Sequence, residues 1–184
     1  MKYLFTFLLV ILLNACGAKK FYTLGDSLAI KTTHIFNKPI DIVKVKVPKY
    51  LQKNKIVRQV SPYEIELVKK SDWLIPMEKR LTQMLIEYLQ QSLNNPNVHL
   101  YPWDSDNKAV LRISVDIQKF IASKRRVKLY ANYKIMNFNT GKTQLKHFKV
   151  ERPTTGEMKS MMEVMQETYT LLLEDIQTAI INNK

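Results

Sequence analysis

The chain has 184 residues, with 29 Lys and Arg against 16 Asp and Glu and a formal charge of +13. That length suits one domain with a sizeable core, and a single cysteine, Cys16, excludes an internal disulfide framework. The basic balance admits nucleic acid, anionic lipid headgroups or acidic proteins as partners, although the basic residues are scattered, with no block of five or more.

Met1-Lys2 is followed by an apolar run from Tyr3 to Leu13, interrupted only by Thr6, and then by Asn14-Ala15-Cys16-Gly17. Eleven helical residues reach about 16 Å, roughly half of a ~30 Å hydrocarbon core, so the run reads as an export signal over residues 1–15 rather than a permanent span. Leu13-Asn14-Ala15-Cys16 resembles the lipobox of bacterial lipoproteins. The resemblance implies a diacylglyceryl thioether on Cys16, cleavage before it and acylation of the new amine. A cysteine falling by chance beside an ordinary cleavage site is the competing reading. Lipidation accounts for the unpaired thiol, and export removes nucleic acid from the partners. The mature chain keeps 28 basic and 16 acidic residues, because only Lys2 is lost.

Residues 16–38 read as a lipidated tether with a brief strand at Phe21-Tyr22-Thr23-Leu24, and residues 39–184 as one domain. From Asp41 to Val47 the sequence alternates, with Val43, Val45 and Val47 on one face, until Pro48 stops the strand. Ile56 to Val60 and Tyr63 to Val68 flank the turn signal Ser61-Pro62 and predict a hairpin, with Ile65 and Leu67 set against Glu64 and Glu66. After Pro76, Met77, Leu81, Met84, Leu85, Tyr88 and Leu89 recur at three and four residues, an amphipathic helix ended by Asn94-Asn95-Pro96.

Leu111, Ile113, Val115 and Ile117 then alternate with polar residues, with a phase slip at Lys119-Phe120 that predicts a bulge. A second strand places Val127, Leu129, Ala131, Tyr133 and Ile135 on one face. A turn at residues 137–141 leads into a third, Thr143 to Val150, completing an antiparallel meander. Residues 156–181 offer Met158, Met161, Met162, Met165, Tyr169, Leu172, Leu173, Ile176 and Ile180 at helical spacing. The expected fold class is α+β, a single antiparallel or mixed sheet with two amphipathic helices on one face.

Candidate chemistry is sparse. His34, His99 and His147 lie far apart, without metal-ligand spacing, and read as surface or edge residues. No serine elbow or phosphate-cradling glycine loop occurs, so neither catalysis nor a cofactor or metal is expected. The methionines of the last helix read as core, with an adaptable lipid-binding or partner-binding surface as the alternative. Trp73 and Trp103 read as core or loop anchors or as an interfacial belt. Lys124, Arg125, Arg126 and Lys128 form the tightest basic cluster; they are candidate contacts for anionic headgroups, with ordinary protection of a sheet edge the alternative.

Several of these pieces also carry a family resemblance: Phe21-Tyr22-Thr23-Leu24 soon after Cys16, Val43 to Pro48 with Tyr50-Leu51 and Ile56-Val57-Arg58, and Trp73 followed by Pro76 and the helix to Leu93. Together they resemble the ABC-type transport auxiliary lipoprotein family of PqiC-like membrane-integrity lipoproteins. That resemblance implies a non-enzymatic docking role in a trans-envelope lipid pathway, beside an MCE-type substrate-binding protein, a permease and an ATPase, and leaves homo-oligomerisation open. A lipoprotein assisting lipopolysaccharide or β-barrel assembly in the outer membrane is the alternative. Gly17 is not the aspartate that retains many lipoproteins in the inner membrane, so an outer-membrane location facing the periplasm is expected.

Overall fold

A computed structural model describes residues 18–25, 35–102 and 108–182. The signal sequence, Cys16, His34 and Trp103 lie outside them. Eight strands form one mixed sheet: β1 (Lys20–Tyr22), β2 (Ile40–Ile42), β3 (Lys55–Ser61), β4 (Glu64–Trp73), β5 (Val98–Leu100), β6 (Leu111–Ser123), β7 (Arg126–Asn137) and β8 (Thr143–Pro153). Two helices, α1 (Met77–Ser92) and α2 (Met158–Ile181), share its apolar face and one hydrophobic core. This is the expected α+β architecture.

β6 is the axis of the sheet. One edge pairs antiparallel with β7 along nearly its full length, from Leu111↔Asn137 to Ala122↔Val127. The other edge is divided: β2 runs parallel to its start, Lys46 makes a single bridge to Asp116, and β3 runs parallel to its end through Arg58↔Ala122 and Gln59↔Ser123. β5 extends the β2 side, and β4 then β1 extend the β3 side.

Alternation explains the three-strand meander. Leu111, Ile113, Val115 and Ile117 face Asn137, Ile135, Tyr133 and Ala131, all buried. A register shift between Ile117 and Lys119 sits where the phase slip predicted a bulge, and it returns Phe120 and Ala122 to the core opposite Leu129 and Val127. Without that extra residue the last third of β6 would turn its apolar side chains to solvent.

One expectation is corrected, and two elements go beyond what the periodicity showed. The stretch from Asp41 to Val47 is not one strand. Val43 N–H donates to Ile113 and Lys46 N–H to Val115, so three residues of chain span two of β6, while Val45 N–H turns to the Thr82 hydroxyl of α1. The buried set is therefore Ile40, Ile42, Val45 and Val47, with Val43 only half-buried. The β3–β4 hairpin forms as expected, but β4 continues past Val68 to Trp73, and its Ile65 and Leu67 are exposed. β5 was not anticipated, since three residues after Pro96 carry too short a pattern to read.

The helices run parallel to each other. Tyr169, fully buried on α2, donates its hydroxyl to the Leu81 carbonyl of α1 at 2.8 Å, and Tyr88 of α1 donates to Gln177 of α2 at 3.0 Å. α1 follows Pro76 and ends where Asn94 adopts a φ of 45°, the left-handed turn that commonly closes a helix. Met161, Met162 and Met165 are buried in the core, as their spacing predicted. No helix of the described residues is long and apolar enough to cross a membrane.

The two faces of the meander predict opposite sensitivities. Leu129→Ala empties a fully buried position and is expected to cost about 2–5 kcal/mol. Leu145→Ala, on the exposed outer face of β8, is expected to stay within about 0.5 kcal/mol. Urea unfolding of the two variants checks this.

Candidate functional site

The basic cluster lies at the turn joining β6 to β7. Ser123 Oγ accepts the N–H groups of Arg125 and Arg126 at 3.3 and 3.1 Å and donates to the Arg126 carbonyl at 3.0 Å, closing the turn with one side chain. Thr154 N–H donates to the Arg125 carbonyl at 2.9 Å, tying the turn to the connection between β8 and α2. Gly156 of that connection has a φ of 85°, and a Cβ there would stand 2.6 Å from the Lys124 carbonyl oxygen.

The four predicted cations do not act alike. Arg126 and Lys128 both reach Glu151, at 3.4 and 3.5 Å, and Tyr130 donates its hydroxyl to the same carboxylate. The Tyr130 hydrogen bond, with help from Lys128 and Arg126, holds the Glu151 carboxyl below its ordinary range despite the opposing effect of burial. Lys124 and Arg125 are exposed and have no carboxylate partner among the described residues. The predicted cluster thus divides into a pair that shares the Glu151 carboxylate and an outward-facing pair.

The β3–β4 hairpin stands beside the turn. Arg58 and Glu66 pair across it at 2.5 Å, and with Val60, Ser123, Lys124 and Arg125 they border an open cleft of about 490 Å³. The hairpin also leaves Val60, Tyr63, Ile65 and Leu67 exposed, Tyr63 almost completely at 99%. The alternation set Ile65 and Leu67 on one face of the strand without saying whether anything covers it, so the sequence did not mark this patch. Only the placement of the helices, away from the hairpin's end, reveals the difference.

The amino-terminal strand is held at three places. β1 runs parallel to β4 through Lys20↔Ser71, Phe21↔Asp72 and Tyr22↔Trp73. Asp72 binds Lys19 at 2.6 Å and Lys55 of β3 at 2.7 Å. The hydrogen bonds from Lys19 and Lys55 hold its carboxyl below the ordinary range. Beyond β1, the buried Arg80 of α1 donates to the carbonyls of Leu24 and Gly25 at 3.1 and 2.7 Å, and Gln166 of α2 accepts the Gly25 N–H at 2.7 Å.

The remaining candidates stay apart. His99 lies on β5, and His147 lies on β8 with Nδ1 2.7 Å from Asn132 Oδ1. No group of three or more metal-ligating side chains occurs among the described residues. Trp73 is buried in the core, with no partner for its indole N–H among the described residues.

Residues 22–177 match the family described as the ABC-type transport auxiliary lipoprotein component, a span from β1 nearly to the end of α2. A crystal structure of an uncharacterised protein superposes with a TM-score of 0.72 at 20% identity, covering 89% of this chain and 99% of that one. Protein XCC0632 from Xanthomonas campestris superposes with a TM-score of 0.73 at 11% identity, covering 86% and 92%. Both share the fold. No curated protein matches the chain.

Two outcomes follow from these contacts. Gly156→Ala is expected to lose more stability than Gly141→Ala in thermal unfolding. Both have positive φ, at about 1–2 kcal/mol for a residue with a Cβ, but only Gly156 also meets backbone. For Asp72, a folded-state pKa below the ordinary value means a stabilisation complete above the ordinary carboxylate range and lost as pH falls through the folded-state value. Asp72→Asn should therefore destabilise the domain at neutral pH, and its gap from the parent should close in acid; a gap constant with pH in denaturant titrations would contradict this.

Proposed function

The chain belongs to the ABC-type transport auxiliary lipoprotein component family, and from that premise we propose that it is a non-enzymatic docking component of an MCE-associated lipid transport system that maintains the cell envelope. In this reading the mature chain is held by diacylglyceryl and N-acyl chains on Cys16 in the outer membrane, facing the periplasm. It works with an MCE-type substrate-binding protein, a permease and an ATPase.

The observation that carries the reading is the extent of the family match, residues 22–177, which runs from the last residue of β1 through β2 to β8 and α1 to the last turn or so of α2. The lipobox supports the anchor. Two or three acyl chains, at ~0.8 kcal/mol per buried methylene, hold a protein far more firmly than one. The edge strand supports docking. β8 pairs only with β7, so along 11 residues its other edge presents main-chain donors and acceptors that have no strand partner among the described residues. A partner can add a strand at such an edge, with main-chain hydrogen bonds supplying affinity.

Crosslinking in intact cells tests the reading. The wild-type chain should sediment with membranes and capture an MCE-type protein or a permease. Cys16→Ser should shift the folded domain to the soluble fraction and reduce that capture by roughly the effective-concentration advantage of tethering, ~10²-fold or more. Recovery of neither partner by the wild type, or full capture by soluble Cys16→Ser, would sink the docking role.

A further inference from the structure

We propose that the end of the sheet bearing the β3–β4 hairpin tip and the Lys124–Arg125 turn rests on and enters the surface of an anionic phospholipid bilayer. This deepens the reading of Cys16 as a lipid anchor and rests on it. Three observations converge on that end.

The first is direction. β1 is parallel to β4, and β4 starts at the hairpin turn, so the chain traced backward from Lys20 heads toward the tip. Five ladder steps separate Asp72 from Glu64, skipping the residues taken up by the two register shifts; that is about 17 Å at ~3.4 Å per step. From Phe21, the partner of Asp72, five residues lead back to Cys16, a reach of at most about 18 Å fully extended. Even at full stretch along the strand, the tether brings Cys16 only about level with the hairpin turn. A domain held upright by acyl chains at Cys16 therefore cannot keep its tip clear of the surface that holds those chains.

The second is apolar exposure. Among the described residues, 11 large apolar side chains are exposed, and four of them, Val60, Tyr63, Ile65 and Leu67, lie on this hairpin. Ile65 and Leu67 share one face of β4, while Tyr63 stands at its apex. Grouped apolar side chains at one end, outside any core, suit a layer where water gives way to acyl chains.

The third is charge. β3 and β6 end together through Gln59↔Ser123, so Lys124 and Arg125 flank the tip. Lys69 and Lys70 are exposed further along β4. The carboxylates at this end are Glu66, paired with Arg58; Glu151, held by Arg126, Lys128 and Tyr130; and the exposed Glu64 and Glu157. Counting Arg58, Lys124, Arg125, Arg126 and Lys128 against Glu64, Glu66, Glu151 and Glu157, this end carries one more cation than acid, and Lys69 and Lys70 farther from the tip add to the excess. An apolar tip ringed by excess cations matches the chemistry of anionic headgroups over acyl chains.

The test uses the full, lipidated mature chain. Processing converts the Cys16 thiol to a thioether, so Tyr63→Cys supplies the one free thiol for an environment-sensitive fluorophore, at a site too exposed to disturb folding. The labelled chain is reconstituted in vesicles of equimolar phosphatidylethanolamine and phosphatidylglycerol, with and without a shallow nitroxide-labelled lipid. The expected result is blue-shifted emission quenched roughly twofold or more by the nitroxide. The same probe at Asn139→Cys, in the turn at the opposite end of the sheet, should be unaffected. Lys124→Glu with Arg125→Glu, or vesicles of phosphatidylcholine alone, should weaken the quenching at position 63, leaving what the tether and the apolar tip supply without the electrostatic contribution; quenching unchanged by either would remove the headgroup contact from the inference. Emission at position 63 that is neither shifted nor quenched, on vesicles that carry the protein in flotation, overturns the inference and leaves the anchor intact. A blue shift without quenching assigns the tip to a second copy or another protein and also overturns it. Failure of the wild-type chain to float removes the anchor itself, and this inference with it.

Discussion

β6 is paired on both edges, and every other strand takes its position from it. Its length of 13 residues lets one edge carry all of β7 while the other is shared by β2, the Lys46 bridge and β3. This forces a mixed sheet, because β2 and β3 must run parallel to β6 while β7 runs against it. It also gives the molecule two distinct ends. The starts of β2, β5, β6 and β8 and the residue 137–142 turn gather at one, and the β3–β4 and β6–β7 turns gather at the other. The bulge between Ile117 and Lys119 makes the long strand workable, since a single register could not bury both Ile117 and Phe120.

The second constraint is the way β1 is fastened. Three paired residues would form a weak edge strand alone. Asp72 adds two short ion pairs that join Lys19, before β1, to Lys55 on β3, and Arg80 and Gln166 hold the backbone at Leu24 and Gly25 from both helices. Burying Arg80 carries a desolvation cost, so its value lies more in fixing geometry than in adding stability. The consequence is functional. The point where the chain leaves for Cys16 is fixed relative to the sheet, so a force or anchor applied there acts on the whole domain rather than on a loose end.

Elements that bury one face against the rest of the domain were legible in the sequence. The β6–β7–β8 meander, its phase slip and both helices fall close to where periodicity put them, because burial imposes the pattern on the residues. The stretch from Asp41 to Val47 was misread because Val45 turns its N–H to Thr82, a partner 37 residues away that no local pattern can announce. β5 was invisible at three residues. The basic cluster was found but not divided, since Glu151 lies on another strand and its grip on Arg126 and Lys128 exists only in the folded register. Ile65 and Leu67 mark a different limit. Alternation identifies a face, but it does not say whether anything covers that face.

Those same residues pose a problem that the surrounding sequence answers. Apolar side chains on an edge hairpin invite pairing with other chains, and β1 covers β4 only at Ser71 to Trp73. Along the uncovered part, Glu64, Glu66, Lys69 and Lys70 interrupt the apolar residues, and Arg58 closes on Glu66 from the neighbouring strand. Charges of both signs on an open edge make any strand that docks there desolvate them, while the apolar side chains remain free to meet a surface approached end-on. The hairpin is therefore guarded along its side and open at its tip. That asymmetry suits contact with an extended surface at the end of the sheet better than lateral growth of the sheet, and it leaves the longer, lysine-bearing edge of β8 on the opposite flank for a partner.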